Sequence, residues 1–402
     1  MQFGFGGDFL RAYLSNSSYT YNAVGDILPL TIDAFYSGGV DPASPHSDST
    51  RLKQSFPKQL AQRFASYTLA GYGQDEWHVK SNLTLTLALR VEHQSNPVCA
   101  HDCFAELSGP FETISHDPAQ PYNQAISKRK QAFFHKDAVA WAPRFSFAWQ
   151  PLGLSHNTVV RGGLGLFYEP VGGFGTMFST NPPLVNNVTV LGSYNLAPEE
   201  INSLFKAAAA SNVAFVQGFA AGENLDQIKG SDPDFFPPSI NVPSSNPHSP
   251  QYQKWSLEVE QTFGTNTSVT LGYYGNHGIH EFVQNPSANA FGWGPFPATA
   301  CASPPVLPCA DPRFSGVTEY TKLGISNYNG MVVSFRRRFA RFGDGLLQAN
   351  YTYGHALDEV SNGGLAQFAA GSSVFPHTTP AQKRCSISFV WKIKFPKIIC
   401  CD

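Results

Sequence analysis

Leu83-Thr84-Leu85-Thr86-Leu87-Ala88-Leu89-Arg90-Val91-Glu92 carries an aliphatic side chain at every odd position and a polar, small or charged one at every even position. Strict period two marks a β-strand whose faces meet different surroundings, one apolar and one polar. The run follows 66–77 across a short Lys80-Ser81-Asn82 turn, so the two read as one antiparallel hairpin.

The same unit recurs along the chain. Strand alternation is present at 3–10, 66–77, 83–93, 143–149, 158–168, 252–263, 267–274, 329–339, 345–353 and 385–395, with weaker candidates at 27–36 and 184–191. Connections after 77, 149, 263 and 339 are short and rich in turn formers, such as Gly264-Thr265-Asn266, whereas those after 10, 93, 168, 274 and 353 are long. A sandwich or propeller gives no reason for short and long connections to alternate. An outer-membrane barrel does, with tight periplasmic turns and long outer loops.

Aromatic placement agrees. Trp77, Trp149, Phe263 and Phe339 each precede a short turn, and Tyr168, Tyr273, Tyr351 and Tyr353 each precede a long loop, as two interfacial aromatic belts would require. The even faces are wet: Thr86, Arg90, Glu258, Ser334, Arg336, Ser388 and Lys392 suit a lumen, while Leu85, Leu87, Val259, Phe335 and Phe389 suit lipid. Arg337 breaks the parity near a strand end, where it can snorkel to headgroups. The expected fold is all-β, an antiparallel meander of a transmembrane outer-membrane β-barrel, incomplete, with long extracellular loops.

Composition narrows function. Charged residues make up 14% against a usual level of roughly 25%, aromatics reach 13%, and Phe occurs 32 times. A net charge of -2 offers no basic footprint for nucleic acid. No apolar run approaches the ~18 residues of a membrane-crossing helix, which leaves strands as the crossing elements. Met1 to Asp8 lacks the basic and apolar regions of a signal peptide and reads as strand interior.

Candidate chemistry is sparse. Cys99 and Cys103 share one polar loop, and Cys301 and Cys309 close another; both pairs suit disulfides in an oxidising compartment, with free thiols in a cytosolic protein as the other reading. Cys99-Ala100-His101-Asp102-Cys103 lacks a second ligand pair for zinc. His277 and His280 lie in a Gly/Asn-rich strand exit and read as a hydrogen-bonded turn. Gly162-Gly163-Leu164-Gly165 sits inside a strand, without a following helix to hold phosphate, and reads as curvature or close packing. Asp75 and Glu76 are neighbours on a strand and point to opposite faces. No catalytic site, cofactor site or metal site is expected. A helix is expected from Pro198-Glu199-Glu200 through Ala207–Ala210.

Tyr72-Gly73-Gln74-Asp75-Glu76-Trp77-His78-Val79-Lys80-Ser81-Asn82 followed by Leu83 to Glu92 resembles a hairpin of TonB-dependent outer-membrane receptors. Ala142-Pro143-Arg144-Phe145 with Val159 to Tyr168, and Ser326 to Phe339 with Tyr351-Thr352-Tyr353-Gly354-His355-Ala356-Leu357-Asp358, are similar to hairpins of the Oar-like, acidobacterial branch. The resemblance implies a barrel of about 22 or more strands, plugged by an N-terminal domain, in which TonB pulls on the plug to drive uptake. Residues 1–395 are then expected to be part of such a barrel, with long loops 11–65, 94–142, 169–251, 275–328 and 354–384, and 396–402 an aberrant or truncated tail. The implied partners are outer-membrane lipid, an unidentified substrate, and TonB only through N-terminal parts outside this sequence. A secreted all-β adhesin or carbohydrate-binding protein is the alternative.

Overall fold

A computed structural model describes residues 2–15, 26–28, 51–58, 63–169 apart from 100, 135, 138 and 154–156, then 177–191, 198–243, 248–285, 288–289, 299–300, 308–339, 345–358, 366–367 and 382–393. One antiparallel meander dominates: β1 (Gln2–Ser15), β2 (Arg63–Lys80), β3 (Leu83–Gln94), β4 (Ala140–Trp149), β5 (Thr158–Tyr168), β6 (Gln251–Phe263), β7 (Thr267–Asn285), β8 (Gly316–Phe339), β9 (Gly345–Asp358) and β10 (Gln382–Ile393). Ser239–Pro243 adds in parallel to β8, and Ala366–Gln367 to β7. Among the described residues β1 pairs only with β2 and β10 only with β9, so the sheet is open.

Register explains the alternation. Leu85 stands opposite Trp77 and Phe147, Val259 opposite Val160 and Leu271, and Phe335 opposite Val269 and Ala349. On the other parity Thr86 stands opposite Glu76 and Ser146, and Ser334 opposite Thr270 and Asn350. Leu87, Leu164 and Leu257 remain 53, 60 and 47% exposed, so among the described residues nothing covers the apolar face there. A contiguous apolar surface of this kind is the lipid face of an outer-membrane strand array. Charges interrupt it, among them Asp75, opposite Phe3 and Leu87, and Arg337, whose guanidinium lies 5.2 Å from the Phe339 ring centre. No described helix is long and apolar enough to cross a membrane.

The strands outrun their alternation. β7 continues to Asn285 rather than ending near 274, and β8 begins at Gly316 rather than near 329, so much of the expected 275–328 loop is a hairpin extension. β1 likewise runs to Ser15, and Arg51–Pro57 forms a strand inside the expected 11–65 loop. Period two requires unlike surroundings on the two faces, here lipid and water. Beyond the bilayer that asymmetry vanishes, and Glu281, Phe282 and Val283 are all buried in succession.

The connections hold much of the buried core. Phe104, Tyr122, Phe178, Phe215 and Phe314 are among the largest fully buried side chains, and none lies on the ten-strand meander. One cluster joins Leu107, Tyr122 and Ile126 from the 94–142 connection, Phe215, Ile228 and Ile240 from 169–251, and Phe314 and Val317 from 275–328. These three connections therefore meet at one end of the sheet as a packed outer unit. The turns at Ser81-Asn82 and Gly264-Thr265-Asn266 lie at the other end.

Helix α1 (Pro198–Ala221) supplies part of that core and runs eleven residues past Ala210 (221 − 210). Its buried residues Leu204, Ala208, Ser211, Phe215 and Gly218 recur at helical spacing, forming one stripe. Gly222 at φ 76° stops it with left-handed backbone, and α2 (Leu225–Ser231) starts at once with a capping box between Asn224 and Gln227.

Candidate functional site

The polar parity of the sheet lines a concave surface. Arg161 Nη1 donates to Glu258 Oε1 at 3.1 Å and to Glu260 Oε2 at 2.8 Å, and the Tyr274 hydroxyl donates to Glu258 Oε2 at 3.1 Å. Arg90 donates to Asp8 at 2.9 Å and also to Glu92. A cavity of about 740 Å³ lies on this face, bordered by Gln74, Arg90, Arg144, Lys254, Tyr274 and Asn276. Arg144 and Lys254 both approach the Phe167 ring, at 4.3 and 5.1 Å. Gly165 makes room for them, since a Cβ there would stand 3.0 Å from Arg144 Cγ. The glycine-rich run on β5 thus serves close side-chain packing.

Above this face the outer unit is cross-linked by polar groups. Asp311 and Arg313 are both fully buried; Arg313 Nε donates to Asp311 Oδ1 at 3.0 Å and Nη2 to Oδ2 at 2.7 Å. Arg313 also donates to Gln120 Oε1 and to the Ser115 carbonyl. Burial alone would raise the Asp311 carboxyl; hydrogen bonds from His116 and Arg313, with the guanidinium charge, hold it below its usual range. Asn181 ties two connections together, donating to the Ala105 and Asn241 carbonyls at 2.6 and 2.7 Å while accepting from the Asn241 N–H. Glu106 is the opposite case. Burial drives its carboxyl up to about 8, with Arg129 at 3.7 Å as a partial counterweight.

Cys99 and Cys103 are joined by a disulfide, Cα atoms 5.9 Å apart, beside the cluster of Phe64, Phe104 and Phe133. Cys309 lies on a two-strand ladder with Thr299, and Cys301 lies outside the described residues. Residues 396–402 also lie outside them, as do most of 11–65 and 354–384. Trp149 pairs with Leu83 at the Ser81-Asn82 turn, Phe263 borders its own turn opposite Thr267, and Phe339 faces Gly345 across the next hairpin. Trp77 stands opposite Leu85. Tyr273 and Tyr353 flank Met331 across three strands, with Tyr351 two positions nearer the turn. Tyr168 stands elsewhere: its partner Gln251 pairs with Ile279, six positions past Tyr273 (279 − 273). His277 Nδ1 bonds the Ser326 carbonyl at 2.9 Å, while His280, at φ 57°, stacks on His248. Among the described residues no group of three His, Cys, Asp or Glu side chains is placed to hold a metal.

Sequence reading misses Tyr122, Asn181, Asp311 and Arg313, because their partners lie up to 198 positions away and no local pattern marks them. Asn224 with Gln227 could have been read as a helix start.

No curated protein matches the chain in sequence. Among solved structures it is similar to the outer membrane transporter YddB from Escherichia coli, at 10% identity and a TM-score of 0.31, over 78% of this chain and 33% of that one. The chain thus spans about a third of that transporter's length. A family model described as an outer membrane beta barrel domain matches residues 2–395, and the chain belongs to that family of the outer membrane.

Proposed function

We propose that the chain forms part of the wall and outer loops of an Oar-like TonB-dependent receptor that takes up a substrate. The carrying observation is that three long connections, joined by one apolar core, stand together at one end of a sheet whose concave face is polar. Such an outer unit gathers a ligand above a wet passage. The hairpin motifs at Tyr72–Glu92 and Ser326–Phe339 support the same reading.

In this reading the open sheet does not transport alone. Unpaired backbone groups on β1 and β10 would each cost several kcal/mol in hydrocarbon, so closure needs further strands. In this reading TonB is contacted through a plug domain and not through the strands of this sheet. The test is capture of the complete gene product by the periplasmic domain of TonB, with residues 1–402 as comparison. Capture of the complete product alone is expected. Failure to capture it, or equal capture of 1–402, contradicts the proposal.

A further inference from the structure

A cleft of about 830 Å³ opens in the outer unit between the strand Arg51–Pro57, the strand Val185–Leu191 and α1. It shares no lining residue with the cavity on the concave face of the sheet. Its volume falls within the roughly 300–1,000 Å³ of sites that take small molecules.

The cleft has a buried polar floor. Asn186, only 2% exposed, pairs with Phe56 in the ladder and donates Nδ2–H to Asn212 Oδ1 at 3.3 Å. Its own Oδ1 accepts no hydrogen bond among the described residues. That oxygen is fully buried, so Asn186 shapes the floor by holding Asn212, and the carboxamides that a ligand can meet are those of Asn212 and Asn123. Asn123 adds another carboxamide at the edge, and Phe219 contributes ring surface. Lys58 and Lys128 stand exposed at the lip. Among the described residues no carboxylate lines the cleft and neither lysine has an ion-pair partner.

These groups specify complementary chemistry. Sugar hydroxyls both donate and accept, matching carboxamides, while the C–H face of a pyranose packs on an aromatic ring. Two exposed lysines without an ion-pair partner among the described residues add attraction for an anion. We propose that this cleft binds a short acidic oligosaccharide of the uronate class. The inference rests on the receptor reading for its physiological purpose, yet binding itself requires neither TonB nor transport.

The test uses the full chain in detergent micelles, titrated calorimetrically with trigalacturonate and, separately, with uncharged maltotriose. Trigalacturonate is expected to bind, with affinity lowered about tenfold by Lys58→Glu combined with Lys128→Glu and about threefold by Asn212→Ala. Both lysines are exposed, so the doubly substituted chain should retain its circular dichroism and its Cys99–Cys103 bond. Arg90→Gln, in the other cavity, should leave affinity unchanged. Equal binding of maltotriose, no trigalacturonate binding, or binding insensitive to the lysine pair in a folded chain overturns the proposal. Loss of TonB capture with trigalacturonate binding intact would refute the receptor reading and leave the cleft standing.

Discussion

The Tyr122 hydroxyl donates to the main-chain carbonyl of Arg313 at 2.8 Å, joining residues 191 positions apart in the chain. Tyr122 is fully buried, and its ring meets Phe215 and Phe314 edge-on at 5.2 and 6.1 Å. One side chain thus links three long connections. Tyr122→Phe keeps the ring contacts and leaves a buried carbonyl short of a donor, which costs ~1–3 kcal/mol. Tyr122→Ala also removes the ring, for a total of roughly 3–5 kcal/mol. Amide hydrogen exchange across Ile126–Arg129 and Ser239–Pro243 should quicken in that order. Unchanged protection in both variants would show that the connections are held together otherwise.

Glu106 makes the outer unit sensitive to pH. Its carboxyl is raised by burial to about 8, so between the ordinary glutamate value and that point the folded chain holds a proton that the unfolded chain has released. Stability therefore falls as pH rises through about 4.5 to 8 and levels off above, by an order of 3 kcal/mol once Arg129 and relaxation are allowed for. Glu106→Gln should remove the dependence and give the more protected unit at pH 8. Exchange at Phe104–Leu107, corrected for intrinsic rates, reads it; a wild-type chain equally protected at pH 5 and pH 8 would contradict the assignment.

The disulfide gives a chemical readout of compartment. Cys99 and Cys103 are bonded, and a structural bond of this kind forms beyond the reducing cytosol. Cys301 and Cys309 share one connection and are expected to pair as well. Alkylation of exported chain before reduction should leave all four unmodified. Modification of Cys99 or Cys103 would remove the first bond, and modification of Cys301 or Cys309 the second pairing.

Legibility in the sequence follows the bilayer. From Leu83 to Glu92 each side chain reports which solvent it faces, because lipid and water alternate across a strand, and the hairpin could be read residue by residue. At Glu281-Phe282-Val283 protein lies on both sides, so the signal disappears although the strand continues. The start of α1 at Pro198 is written locally; so is its stop, since Ala221-Gly222 is a glycine C-cap, though the expected end at Ala210 passed over it. Asp311, Arg313 and Tyr122 carry no local mark. Their roles come from connections meeting in space, which requires the topology first.

The lipid face predicts an asymmetry between neighbours. Leu87→Arg puts a guanidinium on the exposed apolar side, at a cost of ~2–4 kcal/mol near the midplane, whereas Thr86→Arg points into the wet concave face and should cost about 1 kcal/mol or less. Reversible denaturation of an intact barrel containing this hairpin, in lipid, measures both. Equal effects of the two substitutions would reverse or abolish the assigned orientation.

Which solvent each parity meets is tested most directly by spin labels placed singly at Leu85, Thr86, Leu87, Val259 and Glu258 in an intact barrel that contains this sheet, embedded in outer-membrane lipid, with native unpaired cysteines replaced by serine. Collision rates with oxygen, which concentrates in hydrocarbon, and with a water-soluble nickel chelate are then compared at each position. Labels at 85, 87 and 259 should favour oxygen, and labels at 86 and 258 should favour nickel. Nickel-dominated collisions at all five positions would place both faces in water and contradict a membrane-spanning sheet.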